Sequence, residues 1–312
     1  MLDALLLHEP GSTRGKIFYR FIKLLCRSGM LWPLKQRRLE IYCRKRCYGL
    51  EDLSSYLSIY IGNLDGNQRV TILRSTDEGS KEILKIASNE ESIFSTKNEH
   101  NALRFLAGTC VGDKLPYVIG HEVVENKHLF SESYRKKESS KWNVRRRASQ
   151  SFLLKLMSIA VTEISLGDMI DRLEKPTDFY RRLLFKRLRE LDPDTPVITC
   201  ISHGDFTDWN TFMTAQGFYV FDWELFSYGR PLLYDACHYA HTRYEFLGRK
   251  REVKEFVDFL DEYITPMVEA QYLTTWQKNI YIGLWLLNSH LETEFQSLVA
   301  EYFLNRLDEN SP

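Results

Sequence analysis

Between His203 and Glu224 the chain sets out polar groups at a spacing that few folds can use: Asp205 directly after His203-Gly204, Asn210 at the far end of the same short loop, and Asp222 beyond a brief hairpin. Asp205 can then accept a hydrogen bond from a hydroxyl while Asn210 turns its oxygen toward a cation, which separates the two jobs. Residues 211–214 (Thr-Phe-Met-Thr) and 218–221 (Phe-Tyr-Val-Phe) are β-prone and flank Ala215-Gln216-Gly217, a hairpin turn that predicts the return of Asp222 beside Asn210. Mg²⁺ is a hard ion that takes oxygen ligands, and Asn210 with Asp222 supplies them. Asp and Asn also favour turns for purely local reasons. Here, however, Asp205, Asn210 and Asp222 fall in order behind Gly204 within one short stretch.

This ordered set resembles the aminoglycoside phosphotransferase and choline kinase group of the protein-kinase-like fold. The signature of that group is His-Gly-Asp, four residues, Asn, then Asp-Trp-Glu and a Gly-x-Pro with a downstream Asp. The chain has His203-Gly204-Asp205, Asn210, Asp222-Trp223-Glu224 and Gly229-Arg230-Pro231-Leu232-Leu233-Tyr234-Asp235. A His-Gly-Asp by itself is weak, whereas the whole set is specific. It covers the catalytic half closely and residues 50–240 in outline. The resemblance implies an α+β, two-lobed protein-kinase-like fold, with a five-stranded antiparallel N-lobe at residues 50–132 and a mainly helical C-lobe at 133–312. It also implies phosphoryl transfer from ATP to a hydroxyl: Asp205 would orient and help deprotonate the acceptor, and Asn210 and Asp222 would hold Mg²⁺. His203 and Asp235 would support the loop.

Upstream, residues 56–61, 69–73 and 82–87 read as three strands of an antiparallel meander, and 117–124 and 127–131 as two more. Alternation in the third strand puts Lys85 with Ile83 and Ala87 on one face. A lysine there is costly unless paired. Residues 90–107 read as a helix in which Ala102, Leu103 and Leu106 form an apolar stripe. By the resemblance, Lys85 contacts nucleotide phosphates and Glu99 braces it, while Glu132 and Ser133 fall at a hinge whose backbone reads the adenine edge. The phosphate-covering loop carries only Gly62 and Gly66, fewer glycines than a full protein-kinase loop.

Charge adds a direction for the acceptor. The 42 basic and 42 acidic residues predict no nucleic-acid partner. Residues 1–49, however, form a basic extension. In it, Lys16, Arg20, Lys23 and Arg27 share one face of an amphipathic helix at 15–29, and Phe18, Phe21, Ile22 and Leu25 share another. Such a helix can lie on an anionic membrane or pack on the kinase body. A second basic run, residues 135–147, reads either as a solvated loop or as a rim that draws an anionic acceptor. From about residue 149 to 307 the pattern is helical outside the catalytic loop and hairpin, beginning with a stripe of Phe152, Leu153, Leu156, Ile159 and Ala160.

A sugar or cell-envelope glycan is therefore the first acceptor expected, with amino alcohols and aminoglycosides as alternatives. A non-catalytic pseudokinase is the rival from another class, although it would normally have lost one of these residues. A peptide-phosphorylating kinase is disfavoured because no Ala-Pro-Glu follows Asp222. Cys26, Cys43, Cys47, Cys110, Cys200 and Cys237 are scattered without zinc-finger spacing, which fits reduced thiols and a cytoplasmic setting, peripheral on the inner membrane face if residues 15–29 bind lipid.

Overall fold

The computed structural model describes residues 56–61, 69–76, 78–247, 252–289 and 293–309, with backbone only at 56–61, 247, 308 and 309. The basic extension with its segment 15–29, the loop of Gly62 and Gly66, and Cys26, Cys43 and Cys47 lie outside the described residues. The chain divides into two compact units, one running to Phe105 and resuming over Pro116–Lys136, the other comprising Leu106–Leu115 and everything from Lys137.

The first unit is built on strands β1 (Tyr56–Ile61), β2 (Arg69–Ser75), β3 (Lys81–Ala87), β4 (Val118–Val124) and β5 (Lys127–Ser133), with helix α1 (Glu90–Leu106) between β3 and β4. All pairings are antiparallel and the order is β1-β2-β3-β5-β4, so the five-stranded sheet expected from the sequence is the one observed. β3 is central. Thr71 and Phe130 flank Lys85 on the two sides. Asn89 starts α1 by accepting the Ser92 N–H on Oδ1 at 2.8 Å, while its own N–H donates to Ser92 Oγ at 3.2 Å. Glu90 and Glu91 complement the positive end of the helix dipole. Leu73, Leu84, Ala102, Leu103 and Phe130 are buried as the core.

In the second unit the elements are α2 (Trp142–Leu156), β6 (Thr162–Ser165), α3 (Leu166–Asp171), α4 (Phe179–Arg189), β7 (Pro196–Ser202), the hairpin β8 (Thr211–Thr214) and β9 (Gly217–Val220), β10 (Ser227–Pro231), α5 (Tyr234–Thr242), α6 (Val253–Ala270), α7 (Thr275–Asn288) and α8 (Glu294–Glu309). One turn of π-helix, Arg243–Leu247, follows α5. The helical reading from residue 149 needs two corrections. Helix α2 begins earlier and stops at Leu156, so Ile159 and Ala160 are off it, and Ala160 has a φ of +50° that no helix accommodates. A three-stranded sheet, β10-β7-β6, also stands in this unit. Its central strand, Pro-Val-Ile-Thr-Cys-Ile-Ser, is buried over most of its length and so lacks the alternation that marks a half-exposed strand.

Helix α5 is buried at every residue. Helix α7 starts with a capping box between Thr274 and Gln277. Among the described residues no helix is long and apolar enough to cross a membrane.

Pro266 inside α6 removes the N–H that the Glu262 carbonyl would receive. Arg146 Nη2 donates to that carbonyl at 2.9 Å and Arg146 Nη1 to the Glu262 carboxylate at 2.6 Å. Gln150 Nε2 donates to the next carbonyl, Tyr263 O, at 2.8 Å. Part of the basic run at 135–147 thus has a structural use. Arg146→Met is expected to cost about 1 kcal/mol, and less when Pro266→Ala restores the backbone donor. Urea denaturation of the four proteins in that cycle checks this, and additive effects would refute the compensation.

Candidate active site

Two groups of polar residues are assembled, one in each unit. In the first, Lys85 is 4% exposed and Glu99 fully buried. Lys85 Nζ lies 2.6 Å from Glu99 Oε1 and 3.0 Å from Glu132 Oε1, and Arg69 Nη1 lies 3.7 Å from Glu99 Oε2. The central strand delivers Lys85 into the core, and a buried ammonium is tolerable only against opposite charge. The apolar stripe of α1 turns Glu99 inward to meet it. The partner expected from the sequence is therefore present, together with a second that was not expected.

That second partner revises the hinge. Glu132 and Ser133 lie within β5, opposite Ile83 and Glu82 of β3. The Ser133 N–H donates to Tyr117 O at 3.0 Å, and Ser133 Oγ accepts the Tyr117 N–H at 3.0 Å. β5 runs through both residues because it is paired on both sides, so the Ser133 N–H is already committed to the chain itself. Glu132 contributes its side chain to Lys85.

In the second unit, β7 ends at Ser202 and the chain reverses through Gly204 at a φ of +86°. Only glycine fits. A Cβ there would stand 2.2 Å from Leu225 O. The reversal points two backbone N–H groups inward, and the Asp235 carboxylate receives them: His203 N at 2.7 Å and Gly204 N at 3.1 Å, with Ser202 Oγ at 2.9 Å. His203 is buried, its Nδ1 accepting the Asp205 N–H at 3.2 Å, so Nε2 carries the proton and donates to Phe221 O at 3.0 Å. His203 and Asp235 thus bond to the loop, and His203 links it to the end of the hairpin.

Asn210 Nδ2 donates to Asp205 O at 3.0 Å and to Asp205 Oδ2 at 2.8 Å, and the Phe221 N–H donates to Asn210 O at 3.1 Å. Asp222, next in the chain, has a φ of +67°, a left-handed turn that Asp tolerates better than most residues. The structure therefore brings Asp205, Asn210 and the base of Asp222 together. Because Asn210 bonds Asp205 through its nitrogen, its carbonyl oxygen is the atom left for a cation. Among the described residues no three histidine, cysteine or carboxylate side chains converge as a metal cage. The donor set fits an ion held by a few protein oxygens and by phosphate, as Mg²⁺ is.

Two features escaped sequence reasoning. His238 Nε2 lies 3.0 Å from Asp205 Oδ1. Asp208, within the same loop, is buried under Arg145 Nη2 at 2.6 Å, Tyr239 OH at 2.7 Å and the Arg243 guanidinium. Arg243 also lies over the Trp142 ring, 3.4 Å from its centroid. Burial, and then Arg145, pull the Arg243 guanidinium down to about 10, so it stays charged at neutral pH. Burial pushes the Tyr239 hydroxyl up, which keeps it a donor. The partners come from distant parts of the chain, and no local motif marks them. Burial likewise raises the Cys200 and Cys237 thiols, which stay protonated, whereas Cys110 is exposed.

No family model and no curated protein matches the chain. Similar solved structures include an aminoglycoside phosphotransferase with ADP and hygromycin B, at 12% identity and a TM-score of 0.49 over 83% of this chain and 95% of that one. An aminoglycoside phosphotransferase from Alicyclobacillus acidocaldarius is 13% identical, with a TM-score of 0.45 over 87% and 98%. An amicoumacin kinase with AMP-PNP and Ca²⁺ is 11% identical, with a TM-score of 0.43 over 81% and 89%. All three are phosphotransferases or kinases.

Gly204→Ala combines a left-handed backbone with a clash against Leu225, and is expected to destabilise the second unit by about 2–5 kcal/mol. Thermal unfolding measures it; an unchanged melting temperature would contradict the geometry.

Proposed function

We propose that this chain is an ATP- and Mg²⁺-dependent small-molecule kinase that phosphorylates a hydroxyl. The observation that carries the reading is the Asp205 carboxylate, held by donors on both oxygens in a loop whose Asn210 is tied by its backbone to the residue before Asp222. Asp205 would accept the hydrogen bond of the acceptor hydroxyl. As the acceptor oxygen bonds to the γ-phosphorus and the bond to the β–γ bridging oxygen breaks, the hydroxyl proton would pass to Asp205 and ADP would leave. Lys85, set between Glu99 and Glu132, would hold nucleotide phosphates. Asn210 and Asp222 would hold Mg²⁺, which when bound neutralises phosphate charge.

For the acceptor we favour a sugar or cell-envelope glycan. Trp209, inside the catalytic loop, is 48% exposed and stands edge to face with Phe246, 49% exposed, at 6.0 Å between centroids. Such a face suits the apolar side of a sugar ring. The anionic-acceptor idea loses two of its residues, because Arg145 is bonded to Asp208 and Arg146 to Glu262. Residues 15–29 retain the proposal of a peripheral membrane seat. Deleting residues 1–49 is then expected to abolish flotation with anionic liposomes, and unchanged flotation would remove that role.

Calorimetry with ATP is expected to show binding that depends on Mg²⁺, weakened in Asn210→Ala and Asp222→Ala, whose melting temperatures should change little. Binding indifferent to Mg²⁺ would sink the reading. In a turnover screen against sugars, amino alcohols and aminoglycosides, Asp205→Asn is expected to lower kcat by about 10²–10⁴-fold. Trp209→Ala should raise KM for a sugar acceptor about 10-fold, roughly the contribution of one stacked ring. A full rate in Asp205→Asn would remove that residue from its role.

A further inference from the structure

Two donors hold the Asp205 carboxylate, and only one belongs to the loop motif. Asn210 Nδ2 reaches Oδ2 at 2.8 Å; His238 Nε2 reaches Oδ1 at 3.0 Å. His238 comes from α5, three residues after Asp235, so both project from the same side of one helix. The terminal torsion of an aspartate is soft, and one donor alone leaves the carboxylate plane to swing. Donors from separate elements, one on each oxygen, fix that plane.

The burial of His238 has no other evident reason. The residue is 5% exposed, its ring lies parallel to that of Tyr234 at 5° and 6.2 Å, and its Nδ1 is buried with no hydrogen-bond partner among the described residues. An imidazole with an unmatched nitrogen is a poorer core residue than leucine, which would fill the space without stranding a polar atom. What distinguishes histidine here is the N–H that it offers to Asp205.

We propose that His238 is a positioning residue for Asp205, aiming its second oxygen at the acceptor. The proposal rests on the kinase reading. His238 touches neither nucleotide nor acceptor in this role, so its loss should lower kcat while leaving KM for ATP unchanged.

The full-length chain is assayed for MgATP hydrolysis with water as acceptor, and for phosphorylation of whichever hydroxyl compound the screen returns. His238→Leu fills the volume without a donor, and His238→Gln places an amide N–H near the position of Nε2. His238→Leu is expected to lose about 10–100-fold in kcat, and His238→Gln to recover most of it, both with KM for ATP within about 2-fold of the parent. Nitrogen-15 spectra of the histidine rings supply a measure independent of activity: the Nε2–H signal of His238 should shift in Asp205→Ala. A folded His238→Leu with the parental kcat, or a His238 signal indifferent to Asp205→Ala, overturns the proposal and leaves the kinase reading standing. Equal losses in the Leu and Gln variants also overturn it, since packing rather than the donor would then be at work. A parent chain that neither binds nor turns over MgATP overturns the kinase reading, and this role with it.

Discussion

The buried carboxylate of Asp235 is the interaction on which the second unit's polar loop depends. A chain that leaves β7 and reverses within three residues turns backbone N–H groups into the protein interior, away from solvent. Each such donor left unmatched costs about 1–3 kcal/mol. Asp235 receives two of them and the Ser202 hydroxyl as well. An ionised acceptor makes stronger bonds than a carbonyl would, and its own burial is compensated by those same donors. The reversal at Gly204 and the burial of Asp235 are therefore mutually required.

The first unit solves the complementary problem with charge. Lys85 on the central strand faces Glu99 and Glu132, and Arg69 stands near Glu99. The two cations and two carboxylates balance, which is what permits ionised groups at this depth. Such an arrangement is weak evidence for stability, because apolar residues of the same volume would pack as well. It is better evidence for a use, since an ammonium held in a fixed place is suited to meeting a phosphate.

Much of this was legible in the sequence, and the reasons are physical. Lys85 stood out because a cation in an apolar alternating strand demands a partner, and the next helix offered Glu99 on its inward face. Asp205, Asn210 and Asp222 stood out because their spacing matches a loop closed by a hairpin, and the loop and hairpin are where they were expected. What escaped was non-local or lacked periodicity. β7 is buried along most of its length, so no alternation announced a strand. Glu132 looked like a hinge residue because the end of β5 is set by pairing with β3 and the Tyr117 segment rather than by its own residues. Arg145 and Arg146 looked like solvated charge because their partners, Asp208 and Glu262, lie far along the chain.

The same distance in sequence hid how the loop from His203 to Asn210 is mounted. Helix α5 touches that loop at three points: Asp235 at the Ser202 hydroxyl and the backbone of His203 and Gly204, His238 at the Asp205 carboxylate, and Tyr239 at Asp208. Residues separated by three and four positions share a helix face, so one side of α5 is a polar strip matched to the loop, while the remainder of this wholly buried helix is locked by packing. A loop attached by a single contact would rotate about it, whereas three contacts from one rigid element define both its place and its orientation. The polar strip explains why a helix in the middle of a core carries Asp235, His238 and Tyr239 where apolar residues would pack at lower cost. It also follows that a displacement of α5 would move all three supports together, so the geometry at Asp205 is only as exact as the packing of the helix behind it.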